Sequence, residues 1–256
     1  MVIDLKKRKE LLLSERVIKS ESESWREAWE EEISSRLPAG AFGAVLARAG
    51  MGKTAFLVQM ALSSMLGGEG VLHVSLHEPI SKVTLWYREL FEKKFIRKPP
   101  RSSRMLWETI LPHRFIMTFR VDRFSIPNLE ERLNDLIVQG IFSPRILLID
   151  GWQTNHIGEA EILELKTFAR AHNLQVWLSV HVHRHDAEAG DPLPAFLKKS
   201  EELFDIILQM EDRGQEILID PHRDATGSLK SWRMKMDPVT LLITAGRARD
   251  PVKKVG

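Results

Sequence analysis

The chain is 256 residues long, 43% apolar and 28% charged, which suits one α/β domain with an extension and excludes both a disordered polymer and a bundle of membrane spans. Its 37 basic and 35 acidic residues nearly cancel to a formal +2, so attraction to polyanions cannot come from bulk charge and must be local. There is no cysteine, which removes disulfides, thiol catalysis and thiolate metal sites.

The opening segment, "MVIDLKKRKELLLSERVIKS", interrupts its apolar residues with charge too often for a signal peptide, and no apolar run of 18 residues follows. The cytoplasm is therefore the default compartment, with no membrane partner expected. Next, Trp25, Trp29, Ile33 and Leu37 recur every four residues among acids, which predicts a helix with one apolar stripe. Such a stripe packs either on its own domain or on a neighbouring subunit. The boundary at Leu37 and Pro38 divides the chain into an N-terminal helical extension over 1–36, a main domain over 37–246 and a basic tail over 247–256.

From Gly40 onward, the runs "FGAVLA", "GVLHVSL", "RFIMTF", "RILLID", "QVWLSV", "DIILQM", "EILID" and "TLLIT" alternate with longer amphipathic stretches. Short apolar runs of that kind are buried on both faces, so they predict a mostly parallel central sheet flanked by crossover helices. The last three follow each other too closely for helices between them and are expected to be antiparallel. Basic residues cluster around "RKPPRSSR", with Lys93, Lys94, Arg97, Lys98, Arg101 and Arg104, and again in the tail "RARDPVKKVG"; both read as solvated surface or as a grip on nucleic acid.

The segment "ARAGMGKTAF" lies between an apolar strand and the helix-like "AFLVQMALSSML". A loop that cradles a triphosphate needs backbone N–H groups converging on phosphate oxygens, hence glycines at φ values a β-carbon disfavours. Gly50 and Gly52 supply these, flanked by Ala49, Met51 and Ala55; Lys53 places an ammonium on the β- and γ-phosphates, and Thr54 offers its hydroxyl to Mg²⁺. Ala47 replaces the first glycine of the GxxxxGK[ST] pattern. A second metal-directed group is expected at the end of another buried strand, and Asp150 closes "RILLID" in that way, reaching Mg²⁺ through water.

The order of these segments resembles the RecA-like ATPases, most closely the C-terminal motor domain of DnaB-type replicative helicases, with the KaiC and RadA proteins as near relatives. The likeness runs over "LPAGAFGAVLARAGMGKTAF", "VLHVSL", "RILLIDGWQ", "LELKTFARAHNLQVWLSVHVHR", "FLKKSEELFDIILQMED" and "EILIDPHRDATG" followed by "MDPVTLLI". It implies a RecA-like P-loop NTPase fold with antiparallel C-terminal strands, ATP and Mg²⁺ as cofactors, and a homo-oligomeric ring of hexameric type with ATP between subunits. It also implies that Arg223 of "HRD" reaches a neighbour's site as an arginine finger, with Pro221 where the family has a lysine, and that His181 stands where the family senses the γ-phosphate. The three histidines of "HVHRHD", His181, His183 and His185, share one strand face by alternation and also invite a metal reading.

Two further places depart from the family pattern. Its catalytic glutamate falls at His77, with Glu78 next; since successive side chains on a strand point oppositely, either the backbone turns to present Glu78 as general base, or His77 takes the role, or hydrolysis is slow. Glu78 is the expected base. The two loops that grip single-stranded DNA in the family read here as "GWQTNHIGEAE", with no Lys or Arg, and "HRHDAEAGDPLPAFLKKS", of mixed charge. Affinity for a phosphate backbone scales with the cations that displace counterions, so this is a poor groove. The expected function is an ATPase motor acting on single-stranded DNA, with a KaiC-like regulatory or assembly ATPase that acts on a protein client, or a nucleotide-binding switch, as the alternative.

Overall fold

A computed structural model describes residues 41–95, 100–152, 158–182, 193, 195–227, 229 and 234–245. The striped segment around Trp25, the basic tail, Arg97, Lys98, His183, Arg184 and His185 lie outside the described residues.

The apolar runs become strands in the expected order: β1 (Phe42–Ala47), β2 (Val71–Ser75), β3 (Arg114–Thr118), β4 (Ile146–Trp152), β5 (Gln175–His181), β6 (Ile206–Asp212) and β7 (Ile217–Asp224). Two three-residue strands, β8 (Met234–Met236) and β9 (Ile243–Ala245), follow. Together they form one sheet in the order β3-β2-β4-β5-β1-β6-β7-β8-β9. Every pairing from β3 to β6 is parallel, and β6 to β9 are joined antiparallel. The sheet is therefore mostly parallel with an antiparallel C-terminal margin, as the spacing of the runs demands.

Parallel neighbours need crossover connections, and helices supply them. Helix α1 (Lys53–Leu66) leaves β1, while α2 (Ile80–Phe95) and α3 (Pro100–Ile110) join β2 to β3. Helices α4 (Ile126–Val138) and α5 (Glu159–Ala171) precede β4 and β5 in the same way. Ser125 caps α4 by accepting the N–H of Asn128, with Pro127 in the first turn where its missing donor costs nothing. Helix α1 is apolar nearly all round, "KTAFLVQMALSSML", and is accordingly buried from Ala55 to Met65.

Strand parity fixes what each face of the sheet holds. Val45, Ala47, Val71, Ile146, Leu148 and Trp177 face the core shared with α1, α2 and α3. Leu46, Leu72, Val74, Leu147, Ile149, Val176, Leu178 and Val180 face the other core, with α4 and α5. Continuing the alternation along each strand puts Ser75, Asp150, Ser179 and His181 on the α1 face. Polar side chains at the carboxyl ends of three parallel strands, β2, β4 and β5, thus converge beneath one helix.

Candidate functional site

The site is built where β1 ends and α1 begins. Gly50 and Gly52 adopt φ of 76° and 81°, the left-handed region that a β-carbon disfavours. At Gly52 a second constraint applies, because an added Cβ would lie 3.0 Å from Met236 Sδ and 3.3 Å from Leu241 Cδ2. Gly52 is also the N-cap of α1 and carries no capping side chain, so the first-turn N–H groups of the helix have no intrahelical acceptor and point out of the loop with the positive end of the helix dipole.

Lys53 lies across this loop, donating from Nζ to the carbonyls of Ala47 at 2.9 Å and Arg48 at 2.8 Å. Burial pushes its pKa down to about 8, an effect the nearby Asp150 carboxylate opposes. An ammonium held partly out of water and tied only to neutral carbonyls favours an incoming anion. Thr54, the next residue, donates from Oγ1 to Asp150 Oδ2 at 2.6 Å. This contact spans two strands of the sheet, since β5 separates β4 from β1. It is possible because α1 crosses over the one intervening strand, β5.

Asp150 is 6% exposed. Its other oxygen, Oδ1, accepts from Ser179 Oγ, and the same hydroxyl accepts from the N–H of Gly151 at 2.9 Å. His181 stands beside the start of the loop, in register with Ala47 across the β1–β5 ladder. The Ala47 carbonyl in turn accepts the N–H of Val182 at 3.1 Å.

His77 and Glu78 diverge as their parity demands. Ser75 Oγ donates to the carbonyl of Glu78 and accepts its N–H, a local turn that ends β2 and leads into α2. The Glu78 carboxylate pairs with Lys82 one helical turn on, at 2.7 Å, with side-chain exposures of 35% and 55%. The His77 ring instead lies against Gly151, at φ 88°, where an added Cβ would sit 2.5 Å from His77 Cδ2. The backbone N–H of Leu76 donates to the Asp150 carbonyl, which ties this turn to the β4 end.

Arg223 sits far from this cluster. It lies on β7 opposite Ile207 of β6, which in turn pairs with Ala44 of β1, three residues before the phosphate-loop segment begins at Ala47. Its Nε donates to the Phe204 carbonyl at 2.8 Å. Within one chain, then, the structure brings together Gly50, Gly52, Lys53, Thr54, Asp150 and His181 and leaves Arg223 toward the other end of the sheet.

Of the first expected DNA loop, Gly151 and Trp152 belong to β4 and Glu159 to Glu161 open α5, which leaves residues 153–157 outside the described residues. The second loop lies mostly outside them as well, together with the His183 and His185 part of the metal reading. Lys93 and Lys94 close α2 and Arg101 and Arg104 lie on α3, where Phe91 packs on Trp107 at 5.0 Å. Among the described residues no helix is long and apolar enough to cross a membrane.

Ser179, Met236 and Leu241 are the residues that the motif reading overlooked. Parity alone would have placed Ser179 on the face of Asp150; nothing in the sequence pairs Met236 or Leu241 with Gly52.

The residues fit a nucleotide with its metal: a left-handed glycine loop, a partly desolvated ammonium, and a hydroxyl and carboxylate already in contact. When bound, the metal would neutralise charge on the phosphoryl oxygens.

Neither a family model nor a curated protein matches this chain. Solved structures do. The ATPase domain of G40P superposes with a TM-score of 0.61 at 16% identity, over 82% of this chain and 86% of that one. A DnaB-like replicative helicase, described with its interactions with primase, superposes with a TM-score of 0.54 at 17% identity, over 73% of this chain and 53% of that one. The present chain thus matches about half the length of that helicase. At such identities the likeness defines the fold, which is that of the RecA-like ATPase domain of DnaB-type helicases.

Proposed function

We propose that the protein binds ATP and Mg²⁺ at the β1–α1 loop and hydrolyses the nucleotide as a homo-oligomer. The observation that carries this reading is the Thr54 to Asp150 hydrogen bond, which joins the helix after the glycine loop to the end of a buried strand two positions away in the sheet. In this reading the loop amides from Ala49 to Ala55 and the Lys53 ammonium bind the phosphates, Thr54 and Asp150 hold the metal, and His181 responds to the terminal phosphate. By the resemblance to DnaB-type helicases, Arg223, whose Nε donates to the Phe204 carbonyl in its own chain, is assigned to a neighbouring subunit's site as an arginine finger, with the ring as the working unit.

Glu78 is the proposed general base, released from Lys82 when the loop is filled. A second reading gives the role to His77, whose ring already stands against Gly151 beside Asp150. For the client, the DnaB-like fold favours single-stranded DNA, in keeping with the helicase whose solved structure resembles this chain; the lack of Lys and Arg in "GWQTNHIGEAE" favours a protein client and a KaiC-like regulatory role.

The test is a hydrolysis assay with and without single-stranded DNA, beside a mass measurement of the assembly with ATP present. Stimulation that fades steeply with salt supports the DNA motor. Hydrolysis indifferent to DNA and RNA supports the protein-directed ATPase. No ATP binding by the wild-type chain, or equal binding by Lys53→Ala, refutes the site.

A further inference from the structure

Strands β4 and β5 pair in regular parallel register as far as Ile149 opposite Leu178, and the next pair is Trp152 opposite Val180. Two residues of β4, Asp150 and Gly151, therefore face the single residue Ser179 of β5. This is a bulge placed at the carboxylate that the nucleotide reading needs, and bulges re-aim side chains where they occur. Gly151 takes φ 88° there and lies so close to the His77 ring that a side chain would be excluded on both counts.

At a bulge the strand-to-strand ladder is interrupted, and the stranded backbone groups need other partners. Ser179 provides one. Its Oγ accepts the Gly151 N–H at 2.9 Å; the N–H can only donate, so the hydroxyl proton is free to go to Asp150 Oδ1, at 2.5 Å. Ser179 is 1% exposed, which keeps bulk water from competing. The two oxygens of Asp150 are thus held differently: Oδ1 by a buried hydroxyl locked to the backbone of the next residue, Oδ2 by Thr54, a hydroxyl that the metal would claim.

We propose that Ser179 is the positioning residue for Asp150: it fixes the carboxylate through the Asp150–Gly151 bulge, so that Asp150 keeps its aim when Thr54 turns to the metal. The role rests on the nucleotide-binding reading above. It predicts a specific split, because a group that aims the metal-directed carboxylate affects metal affinity and leaves phosphate contacts to the loop amides and Lys53 alone.

The experiment uses the full chain and two calorimetric titrations: ADP without Mg²⁺, and Mg²⁺ into protein saturated with ADP. Ser179→Ala is expected to raise the Mg²⁺ concentration at half saturation about tenfold, the low end for loss of a ligand-orienting partner, with Mg²⁺-free ADP affinity within about twofold of wild type. Ser179→Thr keeps the hydroxyl and restores most of the Mg²⁺ affinity. Equal Mg²⁺ requirements for Ser179→Ala and wild type overturn the role, and so does an equal loss of ADP affinity with and without Mg²⁺, which marks a purely structural residue. Should Ser179→Ala fail to fold, Ser179→Cys, with its weak donor, is compared with Ser179→Thr under the same two outcomes. Failure of the wild-type chain to bind ADP removes the nucleotide reading and the role with it, whereas Mg²⁺-dependent ADP binding unmoved by Ser179→Ala removes the role alone.

Discussion

The two ends of the sheet are built on opposite principles. At the carboxyl end of the parallel strands, Gly50, Gly52 and Gly151 hold left-handed φ, Lys53 is partly desolvated against neutral carbonyls, and Asp150 is held by two hydroxyls. At the amino end, polar groups close on backbone partners: Asp205 accepts the N–H of Phe42 at 2.8 Å, Lys166 donates to the Leu203 carbonyl, and the Phe42 and Phe204 rings pack 5.0 Å apart. One end holds charge partly out of water and turns its backbone through glycines. The other anchors the chain. Arg223, tied to the Phe204 carbonyl at the anchoring end, is the residue proposed above to serve a neighbouring subunit.

Removing Arg223 is the strongest way to break this contrast. Arg223→Ala is expected to slow hydrolysis by about 10³-fold or more, the range for an arginine finger, while ATP affinity stays near wild type. A rate within a few fold of wild type, measured on assembled protein, would return Arg223 to a structural role. Next in size is the base: loss of a general base costs roughly 10²- to 10⁴-fold. If Glu78 is the base, Glu78→Gln is slow and His77→Ala is not; a dead His77→Ala beside an active Glu78→Gln moves the role one residue back.

Lys53→Ala should weaken ATP binding by roughly 10- to 100-fold, the worth of a charge-assisted contact. The same residue gives the site a pH signature. Its pKa is lowered to about 8 in the free protein, and a bound phosphate raises it, so binding takes up a proton once the pH exceeds about 8. Affinity is then flat below about pH 8 as far as Lys53 is concerned and falls as the pH rises above it, by at most about tenfold per unit. Calorimetry in two buffers of different ionisation enthalpy reads that proton directly. For the free chain the sign is opposite: the unfolded lysine titrates near its ordinary 10.5 and binds more protons between the two values, so stability rises with pH across that window.

The smallest effect is at the exposed pair. Lys82→Ala should change stability by less than about 0.5 kcal/mol, as one-turn surface ion pairs do. Its use is in sharpening the base assignment, since freeing Glu78 should preserve or raise hydrolysis if that carboxylate acts. A rate that drops with Lys82→Ala speaks against Glu78.

Much of this was legible in the residues because burial on both faces leaves a plain mark. The runs from "FGAVLA" to "EILID" all become strands, and the crowding of the last runs correctly implied antiparallel pairing. The glycine loop, Lys53 and Thr54 stood out because a phosphate-binding pattern restricts residue types at fixed spacing, and Asp150 because it closes an apolar run; the structure brings these residues together. Strand β8 escaped notice because three residues in "MKM" are too short to show a period. The bulge escaped for a different reason: it depends on register between Asp150 and Ser179, separated by 29 positions, and register leaves no trace in either segment alone. The turn at Ser75 fixes the Glu78 backbone, and the Glu78 carboxylate pairs with Lys82, details that alternation alone does not give.

Gln59 lies one helical turn beyond Ala55 on α1 and is 2% exposed. Its amide gives a hydrogen to the Leu241 carbonyl at 2.8 Å and takes one from the Ile243 N–H at 2.9 Å. Leu241 itself bends through φ 58° and touches the spot where Gly52 lacks a side chain. The outermost ribbon of the sheet is thereby stitched to the very helix that opens at the glycine loop, so the C-terminal margin and the loop share one support.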